Sequence, residues 1–182
     1  MELTAFLQQN REVILRKWFD LIVSGYPHNA SAFLAEQKDR FRNPVGHAIS
    51  EALGPIYDQV VAGIDANVLS DALDPIVRIR SVQDFTASEA VAFVFEIKAL
   101  IRTAWNDRVH LGAESAEMAQ LDARIDRVAL LAFDKYAECR EQLHEVRANE
   151  TRARWERMLT RTKGTAPGSR ARSELDNDDS RS

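Results

Sequence analysis

Cysteine is almost missing from this sequence. The one that occurs in 182 residues, Cys139, excludes an intrachain disulfide and a cysteine-based zinc cluster, and favours a reducing compartment. Long apolar runs are missing as well. The longest stretches, such as Ala90 to Phe95 and Val128 to Phe133, fall far short of the roughly 20 residues that span a bilayer. With no secretory signal visible, the expectation is a cytoplasmic protein without membrane insertion.

Signatures of catalysis are equally scarce. There is no Walker loop, no G-x-G-x-x-G and no G-x-S-x-G. Four histidines, His28, His47, His110 and His144, are scattered without an i, i+4 pair, so a metal site is not expected. Asp122 and Asp126 stand four apart, but interleaved with Arg124 and Arg127 they read as a solvated helix face. Cys139 falls in the apolar series of a helix and reads as a small buried hydrophobe, with a nucleophile or redox sensor as the other reading. No enzyme activity and no cofactor are expected.

What is present fits one globular domain with a tail: 45% hydrophobic residues, 29% charged residues and a net charge of −4. Helical spacing runs from Leu3 to Leu159, and no alternation reads as a strand, so the fold class is all-α. The first helix is expected to carry Leu3, Leu7, Asn10, Ile14, Trp18, Leu21 and Ile22 inward and to end at Gly25-Tyr26-Pro27. A short helix should hold Phe33, Leu34 and Phe41. Asn43-Pro44 caps a further helix with Val45, Ile49, Leu53, Ile56, Val60 and Ile64, in which Pro55 should make a kink.

After a connector at Ala66 to Ser70, a short helix carries Leu73, Ile76 and Val77 on one face, with Arg80 as a further candidate for that face, tolerates Pro75 in its early turn and stops near Asp84. Thr86-Ala87-Ser88-Glu89 then has the form of a capping box, opening a helix with Ala90, Val94, Ile97, Ile101 and Trp105 inward, to end at Ala104 or Trp105. From about Glu114 a last helix carries Met118, Leu121, Ile125, Val128, Ala132, Cys139, Leu143 and Val146. Running past Trp155, it would exceed 40 residues, against about 11 to 12 for an average helix, so its end should project or pair with another chain. Residues 1–148 thus form the helical domain. Residues 149–182 form a basic helix extension and a polar tail that is expected to stay disordered.

Between Asp74 and Glu89 polar residues interrupt an apolar pattern. Arg78, Arg80, Gln83 and Asp84 lie among Ile76, Val77, Ile79, Val82 and Phe85, so at least one is expected to be partly buried and to need a partner. The segment is either a folding joint or a sensing site, with Arg78, Arg80, Gln83, Asp84 and Lys98 as candidate residues. In the structural reading Asp84 caps or turns the chain, Arg80 ties the turn to a neighbouring helix, and Lys98 lays its stem along the surface.

An all-α domain with aromatics invites a test for haem, whose proximal histidine must face a pocket from mid-helix. None of the histidines is placed for that, and Phe93, Phe95, Trp105, Phe133 and Tyr136 read as core.

Several segments, in order, carry a family resemblance: Trp18 with Tyr26-Pro27; Phe41-Arg42-Asn43-Pro44-Val45-Gly46; Ile76 to Phe85; Ser88 to Val91; Glu96-Ile97-Lys98; and Phe133-Asp134-Lys135-Tyr136. Over about Phe6 to Arg147 the chain resembles the RsbRD N-terminal domain family, the sensory modules of RsbR-type co-antagonists. The resemblance implies a globin-like helical bundle, haem-free, that dimerises and signals to a C-terminal STAS domain or a histidine kinase. No STAS alternation or kinase motif follows the long helix in this sequence, so the expected function is a sensory module acting as a homodimer on an unknown partner protein. The alternatives are a small-molecule or lipid-binding helical protein, and, by the same resemblance, an accessory factor of a respiratory complex of sulfur metabolism. Nucleic acid is not an expected partner, because the acidic Asp176 to Asp179 run offsets the basic residues before it.

Overall fold

A computed structural model describes residues 2–26, 31, 34, 41–83, 85–109 and 116–163. Among them are six helices and no strand: α1 Leu3–Gln9, α2 Arg11–Ser24, α3 Pro44–Ala62, α4 Ala66–Val82, α5 Ala87–Val109 and α6 Ala116–Lys163. The fold is all-α, as the spacing requires. The chain divides into two compact units, Met1–Glu141 and Gln142–Ser182.

In the first unit, α3 packs on α4, and α2 packs on both α3 and α5. Trp18 is fully buried, stacks on Phe93 at 6.2 Å and donates its indole N–H to the Phe93 carbonyl at 2.7 Å. Tyr57 likewise satisfies its hydroxyl on the Leu7 carbonyl at 2.9 Å. Each large aromatic thus buries its ring without stranding its polar end. The outer helices meet where the Leu3 N–H donates to Glu117 Oε2 at 3.1 Å.

The local signals explain most of the helix ends. Asn43 Oδ1 accepts from the Gly46 N–H at 2.8 Å while its Nδ2 donates to the Leu34 carbonyl at 2.9 Å, so one buried side chain caps α3 and ties down the preceding segment. Gly63 ends that helix at φ 130°, a conformation that other residues rarely adopt. The capping box is formed: Glu89 N–H donates to Thr86 Oγ1 at 3.3 Å, and Thr86 N–H to Glu89 Oε2 at 2.9 Å.

Other expectations are corrected. The first helix is two, because Asn10 Nδ2 donates to the Phe6 carbonyl at 2.8 Å and gives the backbone an alternative to helix at that point. Ala66 to Ser70 is no connector: Asp65 accepts from the Asn67 and Val68 N–H groups and starts α4 there, which puts Pro75 in mid-helix. Helix α5 continues past Trp105 to Val109.

Leu21, Phe95 and Phe133 are exposed rather than inward, since Ile22, Phe93 and Ala132 occupy the buried side of their helices. Phe41 lies in a turn and is 94% exposed, while Phe33 falls outside the described residues. Ile64 follows the end of α3, half-buried. Helix α6, at 48 residues, exceeds 40 and runs past Trp155 as expected. Its inward series holds through Cys139, but Leu143 is only half-buried and Val146 is exposed. Those two belong to the second unit, whose described residues form one helical segment, exposed over 142–160 except at the half-buried Leu143 and Ala153.

Candidate functional site

The polar interruption noted between Asp74 and Glu89 folds into the junction of α4 and α5. Helix α4 ends at Val82 because the Gln83 N–H closes its last bond on the Ile79 carbonyl at 3.2 Å, and the capping box starts α5 a few residues on. Arg80 stands on the last turn of α4 and faces inward, only 4% exposed. Its Nη1 donates to the Glu89 carbonyl at 2.9 Å, so the arginine holds the first turn of α5 against the last turn of α4.

Three aromatic rings enclose the guanidinium carbon: Phe85 at 5.1 Å, Phe93 at 5.2 Å and Tyr26 at 5.7 Å. Tyr26 and Phe85 meet edge to face at 5.5 Å. The ring faces carry negative partial charge, so they stabilise a cation withdrawn from water. Helix α6 closes the junction from a third side. Tyr136 donates its hydroxyl to the Phe85 carbonyl at 2.6 Å, and Arg140 Nη1 donates to the Ser81 carbonyl at 3.1 Å.

Two titratable groups face Arg80. Burial raises the Glu96 carboxyl above its ordinary range, with Arg80 pulling it partway back. Burial likewise raises the Tyr26 phenol, again against the pull of Arg80. The Tyr26 hydroxyl lies within hydrogen-bond reach of Arg80, while Arg80 Nε and Glu96 Oε2 are buried with no hydrogen-bond partner among the described residues.

The five candidate residues do not converge. Arg80 alone forms the site. Arg78 is exposed and pairs with Asp74 at 2.6 Å; Asp74 also holds Lys135 at 3.2 Å. Hydrogen bonds from these two cations keep the Asp74 carboxyl below its ordinary range despite partial burial. Gln83 is exposed, contributing its backbone. Lys98 pairs with Asp126 at 2.9 Å. Asp84 lies outside the described residues. Glu96 and Tyr26 were missed as site residues, although a carboxylate directly after the apolar run Ala90 to Phe95 is a legible signal for the first.

The acidic face of α6 is corrected in part: Asp126 and Arg127 are exposed as expected, but Asp122 and Arg124 are not. Asp122 is 8% exposed and pairs with Arg102 across to α5, Arg102 Nε donating to Asp122 Oδ2 at 3.0 Å. Arg124 donates to the Val60 and Val61 carbonyls at 3.1 and 2.8 Å, closing the C-terminal end of α3 where a cation is favoured. These residues fasten helices together rather than line a solvated surface. Cys139 is buried, as its place in the apolar series suggested. Among the described residues no three His, Cys, Asp or Glu side chains gather to hold a metal ion.

The class defined by this geometry is an all-helical domain whose most enclosed charge, among the described residues, sits at a capped helix junction. Its family is identified by sequence: the chain belongs to the RsbT co-antagonist protein rsbRD N-terminal domain family, whose model matches residues 12–151. That family is one of regulatory signalling domains. The resemblance carried by Asn43-Pro44-Val45-Gly46 and by Ile76 to Phe85 is therefore sound. An uncharacterized protein of Archaeoglobus fulgidus is 25% identical over 154 residues, covering 82% of this chain and 89% of that protein. No solved structure matches the chain.

Proposed function

We propose that this chain is a non-enzymatic sensory and regulatory module in the cytoplasm that works as a homodimer and passes its signal to a partner protein by direct contact. The observation that carries the dimer lies on α6 within the first unit. Leu130 is 67% and Phe133 47% exposed, and a shallow groove of about 560 Å³ is lined by Ala123, Asp126, Arg127, Leu130 and Leu131. Large apolar side chains grouped on a helix face, beside one acid and one base, suit a self-complementary contact. No helix among the described residues is long and apolar enough to cross a membrane.

A signal acts by favouring one of two arrangements. Moving such a pair from mostly one state to mostly the other takes about 5.5 kcal/mol of differential binding. The test is light scattering on the size-exclusion peak at micromolar protein. The wild type is expected to be a dimer, and Leu130→Glu with Phe133→Ser to be a folded monomer. A monomeric wild type refutes the dimer. Co-purification from the native cell then identifies the receiving protein.

A further inference from the structure

In the second unit, α6 presents a short apolar strip to solvent. Trp155, Met158 and Leu159 stand at i, i+3 and i+4, and all three are exposed, Trp155 by 61%. At about 100° per residue they share one narrow side of the helix. By the same count Arg152 borders that strip on one side and Arg154 on the other, and both are exposed. From Thr151 to Lys163 the sequence holds five cations against one acid, Glu156, in a chain whose net charge is −4. Large apolar side chains gathered on one side and rimmed by charge of a single sign mark a contact surface.

The charge calls for an acidic occupant. A second copy of this strip does not supply one, because pairing it with itself brings the same cation-rich segment against its own kind. A helix-binding groove on a protein reads anchors at i, i+3, i+4 and i+7, and here the positions flanking the trio, Thr151 and Thr162, are polar. A bilayer surface with anionic headgroups asks only for a one-sided apolar strip with cations beside it. Tryptophan suits the headgroup level, and arginine stems can lie along the apolar region while the guanidinium reaches phosphate. We propose that α6 from Thr151 onward lies on an anionic lipid surface without crossing it, Trp155, Met158 and Leu159 facing the acyl boundary and Arg152 and Arg154 the headgroups. The acidic run Asp176 to Asp179 weakens the electrostatic attraction, so the apolar strip is a necessary part of the contact.

Such a contact goes beyond the proposed dimer and is independent of it, since light scattering reads the dimer separately. The test is flotation of the full chain with vesicles of phosphatidylcholine, with and without about one-third phosphatidylglycerol. Binding to the anionic vesicles is expected at about 0.1 M salt, with little to the neutral ones, and should fall about tenfold at about 0.5 M. Trp18 and Trp105 are buried, so brominated lipid should quench the emission of Trp155. Trp155→Ser should weaken binding about tenfold and Arg152→Glu with Arg154→Glu should abolish it, each with unchanged helical circular dichroism. Absence of binding to anionic vesicles overturns the proposal, as does binding without quenching or binding that Trp155→Ser leaves intact. Binding to soluble polyglutamate as tight as to the vesicles assigns the cations to an acidic protein and overturns the lipid surface. Quenching in the wild type needs no variant, so it decides even where a substitution disturbs the helix.

Discussion

Replacing Arg80 by alanine removes the side chain that ties α4 to the first turn of α5 and lies among the rings of Tyr26, Phe85 and Phe93. The bond from Nη1 to the Glu89 carbonyl is charge-assisted, and such bonds contribute about 1.5–3 kcal/mol. A cation over an aromatic face in a desolvated setting adds about 2 kcal/mol. The three rings share one guanidinium, so their contributions do not sum. The expected loss is about 3–5 kcal/mol, a large part of the 5–15 kcal/mol that holds a typical domain.

Urea unfolding followed by far-ultraviolet circular dichroism measures it, with the slope checked for constancy. Arg80→Lys should recover only part of the loss, because an ammonium has no planar face to lie against three rings. Arg78→Ala is the control: that side chain is exposed, and its pairing with Asp74 lies at the surface. An Arg80→Ala protein that loses less than about 1 kcal/mol, or no more than Arg78→Ala, refutes the joint.

Gly46→Ala should destabilise the protein although alanine is the better helix former by about 1 kcal/mol. The added methyl would meet the Asn43 amide that caps α3, and Asn43→Ala in the same background should relieve the clash, as a double-mutant cycle in urea can show. Glu96→Gln tests the pH dependence. Because burial raises the folded carboxyl above its unfolded value, its contribution to stability falls as pH rises from the unfolded to the folded value, so Glu96→Gln should gain on the wild type at neutral pH and lose that gain in acid. A constant difference between the two across that range would rule this out. Asp74 has the opposite sign: its folded carboxyl is lowered, so its contribution holds above the unfolded value and is lost as pH falls through the folded one, an acid sensitivity that Asp74→Asn should reduce. Cys139 should react slowly with a thiol reagent in the native state and rapidly in urea, since it is buried.

The starts of α3 and α5 were legible because their signals are local. Asn43-Pro44 and Thr86 to Glu89 are satisfied within a few residues of themselves, so a linear reading finds them. The break at Asn10 was missed because an asparagine in an apolar rhythm looks like one more helical position until its side chain is seen on the Phe6 carbonyl. The start of α4 at Ala66 was missed in part because Leu69 and Leu73 are buried against other helices, and packing supplies most helical stability.

The amino-acid sequence by itself determined the all-α class, the family, the caps at Asn43 and Thr86 and the fact that some polar residue between Asp74 and Glu89 had to be buried. Periodicity and capping are short-range, so they can be read along the chain. Only the tertiary structure decided that the residue is Arg80 rather than Arg78 or Gln83, that Tyr26, Phe85 and Phe93 enclose it, and that Asp122 is a buried tie to Arg102 instead of one charge on a wet face. Burial of a charge depends on groups brought from distant positions, Tyr26 lying 54 residues before Arg80, and no spacing rule within one helix contains that information.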